Sequence, residues 1–312
     1  MFKNKFVKRV LFIGMPDMAY ICLEGLHRAG VNIVGVMGAK RDHPTYTGFK
    51  NFVRNHHLNF INYDELDDIF LIKKIKDLNA DIAIVCSFNY KIPKALLETV
   101  KDGFINVHPS LLPKYRGPNP YSAVIINGEK ETGITLHFMT EEFDRGDIIA
   151  QKKIAVMKNE TMGTLFNRTN IVALDMISEV LKEYETNGLK AEKQPHGNYK
   201  TGKILKEKEL FINFKKTSAE IDALTRALNP FVLARTNFRG TLTKILTVEL
   251  SNEISKEKVP PGTIVKIEKD KFYVKTGDGL IVLTSMQFGS FFAGTSKEFI
   301  EILNPRIGEK FE

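Results

Sequence analysis

Short apolar runs alternate with helix-length amphipathic stretches through the first third of this chain, and that rhythm restricts the fold more than any other feature. Val10 to Gly14 is an apolar run, a helical pattern covers about Met18 to Arg28, and a second run follows at Val31 to Met37. The alternation continues with a helix from Gly48 to His56, a short strand near Asn59 to Ile61, a helix from Leu66 to Asp77 and a strand from Asp81 to Cys86. A helix near Pro93 to Thr99 then leads to the run Phe104 to Val107. Strands joined by helical crossovers of this kind predict an α/β fold with a parallel sheet and right-handed connections. Open parallel sheets bind ligands outside the carboxyl ends of their strands. The run that ends at Val107 passes directly into His108-Pro109-Ser110.

The second half reads differently. A helix from Tyr121 to Ile126 precedes strands at Thr132 to Met139 and Ile148 to Val156, then a long helix from Thr161, a plausible N-cap, to Asn187, with Gly188 as its stop. Residues 189–205 are polar and basic, contain Pro195, Gly197 and Gly202, and show no sustained period, which reads as a linker. From Glu209 onward come short apolar runs, Phe211 to Phe214, Lys244 to Leu250, Gly262 to Ile267, Phe272 to Lys275 and Leu280 to Leu283, around one helix at Ala219 to Ala227. Such a pattern predicts a small β-barrel. The expected organisation is a first domain over residues 1–188, a linker over 189–208 and a barrel-like domain over 209–312. A length of 312 residues agrees with two domains.

Composition removes several function classes. No apolar run is long enough for a membrane span, and the basic Met1 to Val10 is followed only by the short run Leu11 to Met15, too brief for a secretory core. Two cysteines, Cys22 and Cys86, lie in apolar stretches and are too few for a disulfide framework, so the cytoplasm is expected. Lys and Arg outnumber Asp and Glu by 45 to 37, and the net charge of +8 suits an anionic partner such as nucleic acid or a nucleotide. Gly14 is followed by Met15-Pro16-Asp17-Met18, without the further glycines a dinucleotide pyrophosphate requires. Phosphate loops, serine nucleophile elbows and HExxH helices are absent from the sequence. His56 and His57 are adjacent rather than on one helical face, and His27, His43, His137 and His196 lack ligands at metal spacing, so no metal is expected.

What remains is the segment Asn106-Val107-His108-Pro109-Ser110-Leu111-Leu112-Pro113-Lys114-Tyr115-Arg116-Gly117-Pro118. Side chains two apart on a strand point to the same side, so the Asn106 amide and the His108 imidazole can reach one reacting atom. A polar pair at the end of a buried apolar strand is costly unless partnered, which favours function over a structural role. A second polar cluster lies at Asp144-Arg145-Gly146-Asp147. Were Asp144 close to His108, its carboxylate would hold the imidazole tautomer and raise its pKa.

These motifs together, with Phe12-Ile13-Gly14-Met15-Pro16-Asp17, Ile126 to Thr135, Phe211-Ile212-Asn213-Phe214 and Arg226-Ala227-Leu228-Asn229-Pro230, resemble the folate-dependent formyltransferases over essentially the whole chain. The likeness is greatest to the members that formylate methionyl-tRNA. It implies a Rossmann-like catalytic domain with an OB-like barrel after it, and transfer of a formyl group from 10-formyltetrahydrofolate to a primary amine. Asn106 and a protonated His108 would stabilise the developing oxyanion, and Asp144 would orient His108 and help take up the amine proton. Phe88, Asn89, Tyr90 and Ile92, with Ser110, Leu111, Leu112 and Pro113, would form the folate site. The acceptor implied is initiator methionyl-tRNA, with an amino-sugar nucleotide as the alternative. Lys40 and Arg41, a thinned version of the basic loop that holds the acceptor arm in that family, and Arg116 are the candidate acceptor contacts.

Overall fold

The computed structural model describes residues 6–16, 18–39, 46–253 and 258–312. Chain contacts divide it into two units: residues 1–120, 131–155 and 167–202, and residues 121–130, 156–166 and 203–312.

The first unit carries strands β1 (Arg9–Gly14), β2 (Asn32–Met37), β3 (Phe60–Ile61), β4 (Ile82–Cys86), β5 (Phe104–His108), β6 (Glu131–Phe138) and β7 (Ile148–Ala155). Its helices include α1 (Met18–Arg28), α2 (Tyr46–Asn55), α3 (Ile69–Asp77) and the short α4 (Lys94–Leu97). Helix α5 (Pro120–Ile126) begins at its boundary, and α6 (Met162–Asn187) runs from the second unit's residues into it. Strand order is β3-β2-β1-β4-β5-β6-β7. The first five pair in parallel, as the alternating rhythm predicts, while β6 and β7 add antiparallel. Only a short turn joins β6 and β7, too little chain for the crossover a parallel pair demands.

Alternation along the central strands separates two cores. Val10, Phe12, Ile82, Ile84, Ile105 and Val107 pack with α1, α2 and α6 on one face. Leu11, Ile13, Ala83, Val85 and Phe104 pack with Leu71 and Ile75 of α3 and Leu96 of α4 on the other. Every central strand is therefore apolar on both sides, the mark of a buried parallel sheet. Phe104, Asn106 and His108 share the α3/α4 face, so the polar pair continues an apolar row to its carboxyl end. Thr161 caps α6 by accepting the Thr164 amide at 3.2 Å, and Gly188 ends it with φ +76°.

Residues 189–202 are not loose chain. Glu192 pairs antiparallel with Ile148, Thr201 bridges Arg116, and the Gly202 carbonyl accepts from Asn119. Their lack of period reflects a strap whose hydrogen bonds are made by backbone rather than by a repeating apolar face.

The second unit contains α7 (Ser218–Leu228), β8 (Ala234–Phe238), β9 (Thr241–Leu250), β10 (Ile264–Ile267), β11 (Phe272–Lys275), β12 (Leu280–Phe288), β13 (Phe292–Thr295) and α8 (Ser296–Leu303). Its strands pair antiparallel in the order β10-β11-β12-β9-β8, with β13 also on β12. The last residues link the two outer strands. Phe311 bridges Phe238 of β8, Lys310 bridges Thr263 beside β10, and Asn237 and Glu312 exchange backbone hydrogen bonds. This brings the open edges together as a barrel-like fold, which removes unpaired strand edges. Phe211 to Phe214 makes only one bridge, to Arg235, and is pinned instead by burial of Ile212 and Phe214. The sequence reading passes over β8, β13 and α8.

Candidate active site

Asn106 and His108 lie at the carboxyl end of β5, and the antiparallel pairing of β6 sets His137 directly opposite Asn106. Asp144 comes from the turn between β6 and β7. That turn is tightly specified: Asp144 itself holds φ +56°, and a Cβ on Gly146 would sit 1.7 Å from the Phe138 carbonyl oxygen. Only glycine fits there, so the backbone passes close enough for Asp144 to reach inward.

The carboxylate is the hub. Asp144 Oδ1 stands 3.4 Å from His108 Nδ1, 3.4 Å from Asn106 Nδ2 and 3.7 Å from His137 Nε2. Its Oδ2 accepts the Gly117 amide at 2.8 Å. His108 is 4% exposed and His137 1%. The His108 Nε2 faces the Tyr115 carbonyl at 2.9 Å, which can only accept, so that nitrogen carries a proton. Likewise His137 Nδ1 donates to the Phe138 carbonyl at 2.7 Å, and its Nε2 lies 3.1 Å from the Asn106 amide nitrogen.

Both nitrogens of His108 thus face oxygen acceptors, and only an imidazolium would satisfy both. Burial works against that charge and outweighs the opposing pull of Asp144 and the Tyr115 carbonyl, with His137 and Arg116 adding to it, so the pKa lies below its ordinary value. The resting imidazole is therefore neutral near pH 7. The ring is placed so that a proton gained during reaction would be held between the Tyr115 carbonyl and Asp144. For Asp144, burial acts upward, but His137, His108 and the Gly117 amide outweigh it, so the carboxyl lies below its ordinary value and stays ionised.

The loop after His108 is held shape-first. Ser110 is fully buried, and its hydroxyl donates to the Lys114 carbonyl at 2.7 Å. Thr135 donates to the Ser110 carbonyl at 2.6 Å and accepts from the Leu112 amide at 3.1 Å, while Gln151 donates to the Leu112 carbonyl at 2.7 Å. Leu112 is buried, Pro113 follows a cis bond, and Leu111 packs over Gly133. The side chains of Ser110, Leu112 and Pro113 turn into the protein. Phe88 and Ile92, in the segment that follows β4, are buried, Tyr90 meets Phe88 edge-on at 5.3 Å, and Asn89 is exposed. Tyr90 also lines a cavity of about 540 Å³ with Tyr63, Asp64, Glu65, Leu66, Asp67, Lys91 and Pro93, a size suited to a small molecule.

Arg116 directs Nε to the Asp144 carbonyl at 3.0 Å and to Gln194 Oε1 at 3.1 Å. Lys40 and Arg41 lie outside the described residues. Sequence reasoning missed His137 and Gln194. Knowing that β6 runs antiparallel to β5 would have found the first, because that register faces it to Asn106.

A buried imidazole beside a half-buried carboxylate and amide at the carboxyl edge of such a sheet suits group transfer, and the chain belongs to the formyl transferase family. The formyl transferase family model matches residues 11–181, and the model for the formyl transferase C-terminal domain matches residues 204–303. Among relatives, the methionyl-tRNA formyltransferase of Clostridioides difficile (strain 630) is 32% identical over 286 residues, 89% of this chain and 92% of that protein. Among solved structures, WlaRD, a sugar 3N-formyl transferase crystallised in the presence of dTDP and 5-N-formyl-THF, superposes with a TM-score of 0.66 at 24% identity, covering 93% of this chain and 100% of that one. An N-formyltransferase from Helicobacter canadensis, in complex with folinic acid and dTDP-3-aminofucose, has a TM-score of 0.66 at 23% identity over 89% of this chain and 99% of that one. At these identities the two structures speak for the fold.

Proposed function

We propose that the protein transfers a formyl group from 10-formyltetrahydrofolate to the amino group of initiator methionyl-tRNA. The observation that carries the chemistry is the convergence of Asn106, His108 and His137 on one ionised carboxylate at the carboxyl edge of the sheet. Phe88, Asn89, Tyr90 and Ile92 would line the donor site, with Leu111 and the shaped backbone of the Ser110 to Pro113 loop beside them. Bound there, the donor supplies an activated formyl carbonyl.

The residues of this chain do the rest. Attack by a neutral amine places negative charge on the formyl oxygen. The Asn106 amide can turn its long 3.4 Å hydrogen bond from Asp144 toward that oxygen. The neutral His108 gains its second proton as that charge develops, because both of its nitrogens already face acceptors and Asp144 balances the imidazolium. The proton that His108 gains is the one the attacking amine releases, with Asp144 staying ionised beside the ring to draw it there. As the intermediate collapses, the bond between the formyl carbon and N10 breaks and that proton passes to the leaving tetrahydrofolate nitrogen. Preorganised donors of this kind each contribute ~3 to 4 kcal/mol to transition-state stabilisation. No covalent enzyme intermediate is required.

Support for this acceptor comes from the relatives named methionyl-tRNA formyltransferases and from the formyl transferase C-terminal domain that accompanies the first match. The test is a transfer assay with 10-formyltetrahydrofolate that offers charged initiator tRNA in one arm and amino-sugar nucleotides in another. Formylation of the tRNA, falling steeply as salt rises, supports the reading. Turnover with amino sugars alone would move the assignment to the chemistry of the WlaRD-like enzymes and overturn the tRNA acceptor.

A further inference from the structure

The Asp144 turn is held in place from outside by the strap at residues 189–202. Between Lys190 and Thr201 only one residue is buried, and it is Gln194, 8% exposed. Its amide nitrogen donates to two carbonyl oxygens, of Asp144 at 2.9 Å and of Gly146 at 2.8 Å. Its amide oxygen accepts from Arg116 Nε and Nη2, and Arg116 Nε also reaches the Asp144 carbonyl. A single carboxamide therefore satisfies the backbone on both sides of Arg145 and ties it to the loop that supplies Gly117, the other partner of the Asp144 carboxylate. The strap meets that loop again where the Tyr115 amide donates to the Lys200 carbonyl at 2.6 Å and Thr201 bridges Arg116. Tyr115 in turn holds His108 Nε2.

This arrangement answers a mechanical need. Asp144 holds a positive φ of +56°, a conformation that is costly for a side-chain-bearing residue, though least so for Asp and Asn, and that hydrogen bonds around it help to keep. A carboxylate displaced by an ångström would leave His108 without the partner that balances its charge. The Asp144 carbonyl also accepts from Arg116, whereas the carbonyl of the buried Gly146 is met by Gln194, and a buried carbonyl left unpaired is unfavourable.

We infer that Gln194 is a positioning residue for the formyl-transfer reaction, holding the Asp144 turn so that its carboxylate faces His108. The inference rests on the proposed chemistry of that site and extends it to a segment that makes no contact with the reacting groups. Gln194→Leu removes all the hydrogen bonds at similar volume. Gln194→Glu keeps an acceptor for Arg116 but cannot donate to the two carbonyls. Lys193→Ala, at an exposed neighbour on the same strap, is the control.

The experiment measures kcat, the KM for 10-formyltetrahydrofolate, melting temperature, and the His108 titration followed by NMR in the full chain without substrate. Gln194→Leu and Gln194→Glu should both lower kcat by about 10- to 100-fold, the scale on which outer-shell partners act. KM should change less than about threefold, Lys193→Ala should match the parent, and His108 should titrate at lower pH in both Gln194 variants because the balancing carboxylate has moved. Should Gln194→Leu not fold, Gln194→Glu decides alone. Folded variants with unchanged kcat and unchanged His108 titration overturn the proposal, as does a lowered melting temperature with an unmoved titration, which would make Gln194 a fastening only. If the parent chain shows no formyl transfer, the functional reading falls, yet the titration still reports whether Gln194 positions Asp144.

Discussion

The edge of the first sheet and the core of the barrel both shield side chains from water, the edge less completely at Asn106 and Asp144, but they are built by opposite means. In the barrel, Phe238, Phe272, Phe299 and Phe311 stack on one another with centroids 4.6 to 6.2 Å apart and fully buried rings. Stability there is burial of apolar area, aided by ring geometry. At the sheet edge, Asp144, His108, His137, Asn106, Thr135 and Gln194 are sequestered, and each is partnered by hydrogen bonds or charge. Burying those groups adds little net stability, since desolvation consumes most of what the contacts return. What it provides is a fixed geometry in a low-dielectric setting where a developing charge is felt strongly. The two regions should therefore respond to mutation in opposite columns, one in stability and the other in rate.

The largest separation is expected from Phe311→Ala and His108→Ala. Removing the Phe311 ring leaves a cavity in the barrel and should lower its stability by about 3 to 5 kcal/mol, read by denaturant unfolding. His108→Ala should instead lower kcat by about 10²- to 10³-fold, with a melting temperature near that of the parent. A smaller effect is expected for His137→Leu. It removes the ring nitrogen that faces the Asn106 amide, and kcat should fall by roughly 10-fold in steady-state assays, on the scale of a lost supporting hydrogen bond. A hybrid case sharpens the contrast: Thr295→Ala deletes the cap of α8, whose hydroxyl and Glu298 form reciprocal hydrogen bonds, and should cost about 1 kcal/mol of stability without changing kcat.

The smallest effect is a pH dependence. His108 has its folded pKa below the ordinary 6.5, so the unfolded chain binds its proton more readily and stability falls as pH drops from about 6.5. Asp144, also lowered, contributes stability that is full above its ordinary 3.8 and is lost below it. Between pH 7 and 5 the melting temperature should decline less in His108→Asn than in the parent. Equal declines would show that the buried imidazole is not the group responsible.

Much of the scaffold was legible because it follows from apolar patterning. The five parallel strands, α1 and the ends of α6 are written as two-sided apolar runs and capping residues, and their bounds lie within a few residues of those expected. Asn106 and His108 were legible for the same reason, as polar side chains that interrupt a buried row. His137 was not, because its importance exists only in the β5–β6 register, and periodicity gives neither pairing nor direction. Gln194 was hidden by its setting: one buried amide in a polar stretch has the pattern of a linker. Strands β8 and β13 escaped because alternation in Ala234–Phe238 buries Thr236, a polar residue, and Phe292–Thr295 is short and half-exposed. The charge state of His108 lay beyond the sequence altogether, since it is a balance between burial and a carboxylate brought from 36 positions away.

The most direct test of the central claim is single-turnover formyl transfer from 10-formyltetrahydrofolate to charged initiator tRNA by the parent chain and by Asp144→Asn, which keeps the shape of the hub and removes its charge. The account predicts transfer by the parent and a loss of at least about 10²-fold in Asp144→Asn, with folding intact. Transfer by Asp144→Asn within about threefold of the parent would contradict it.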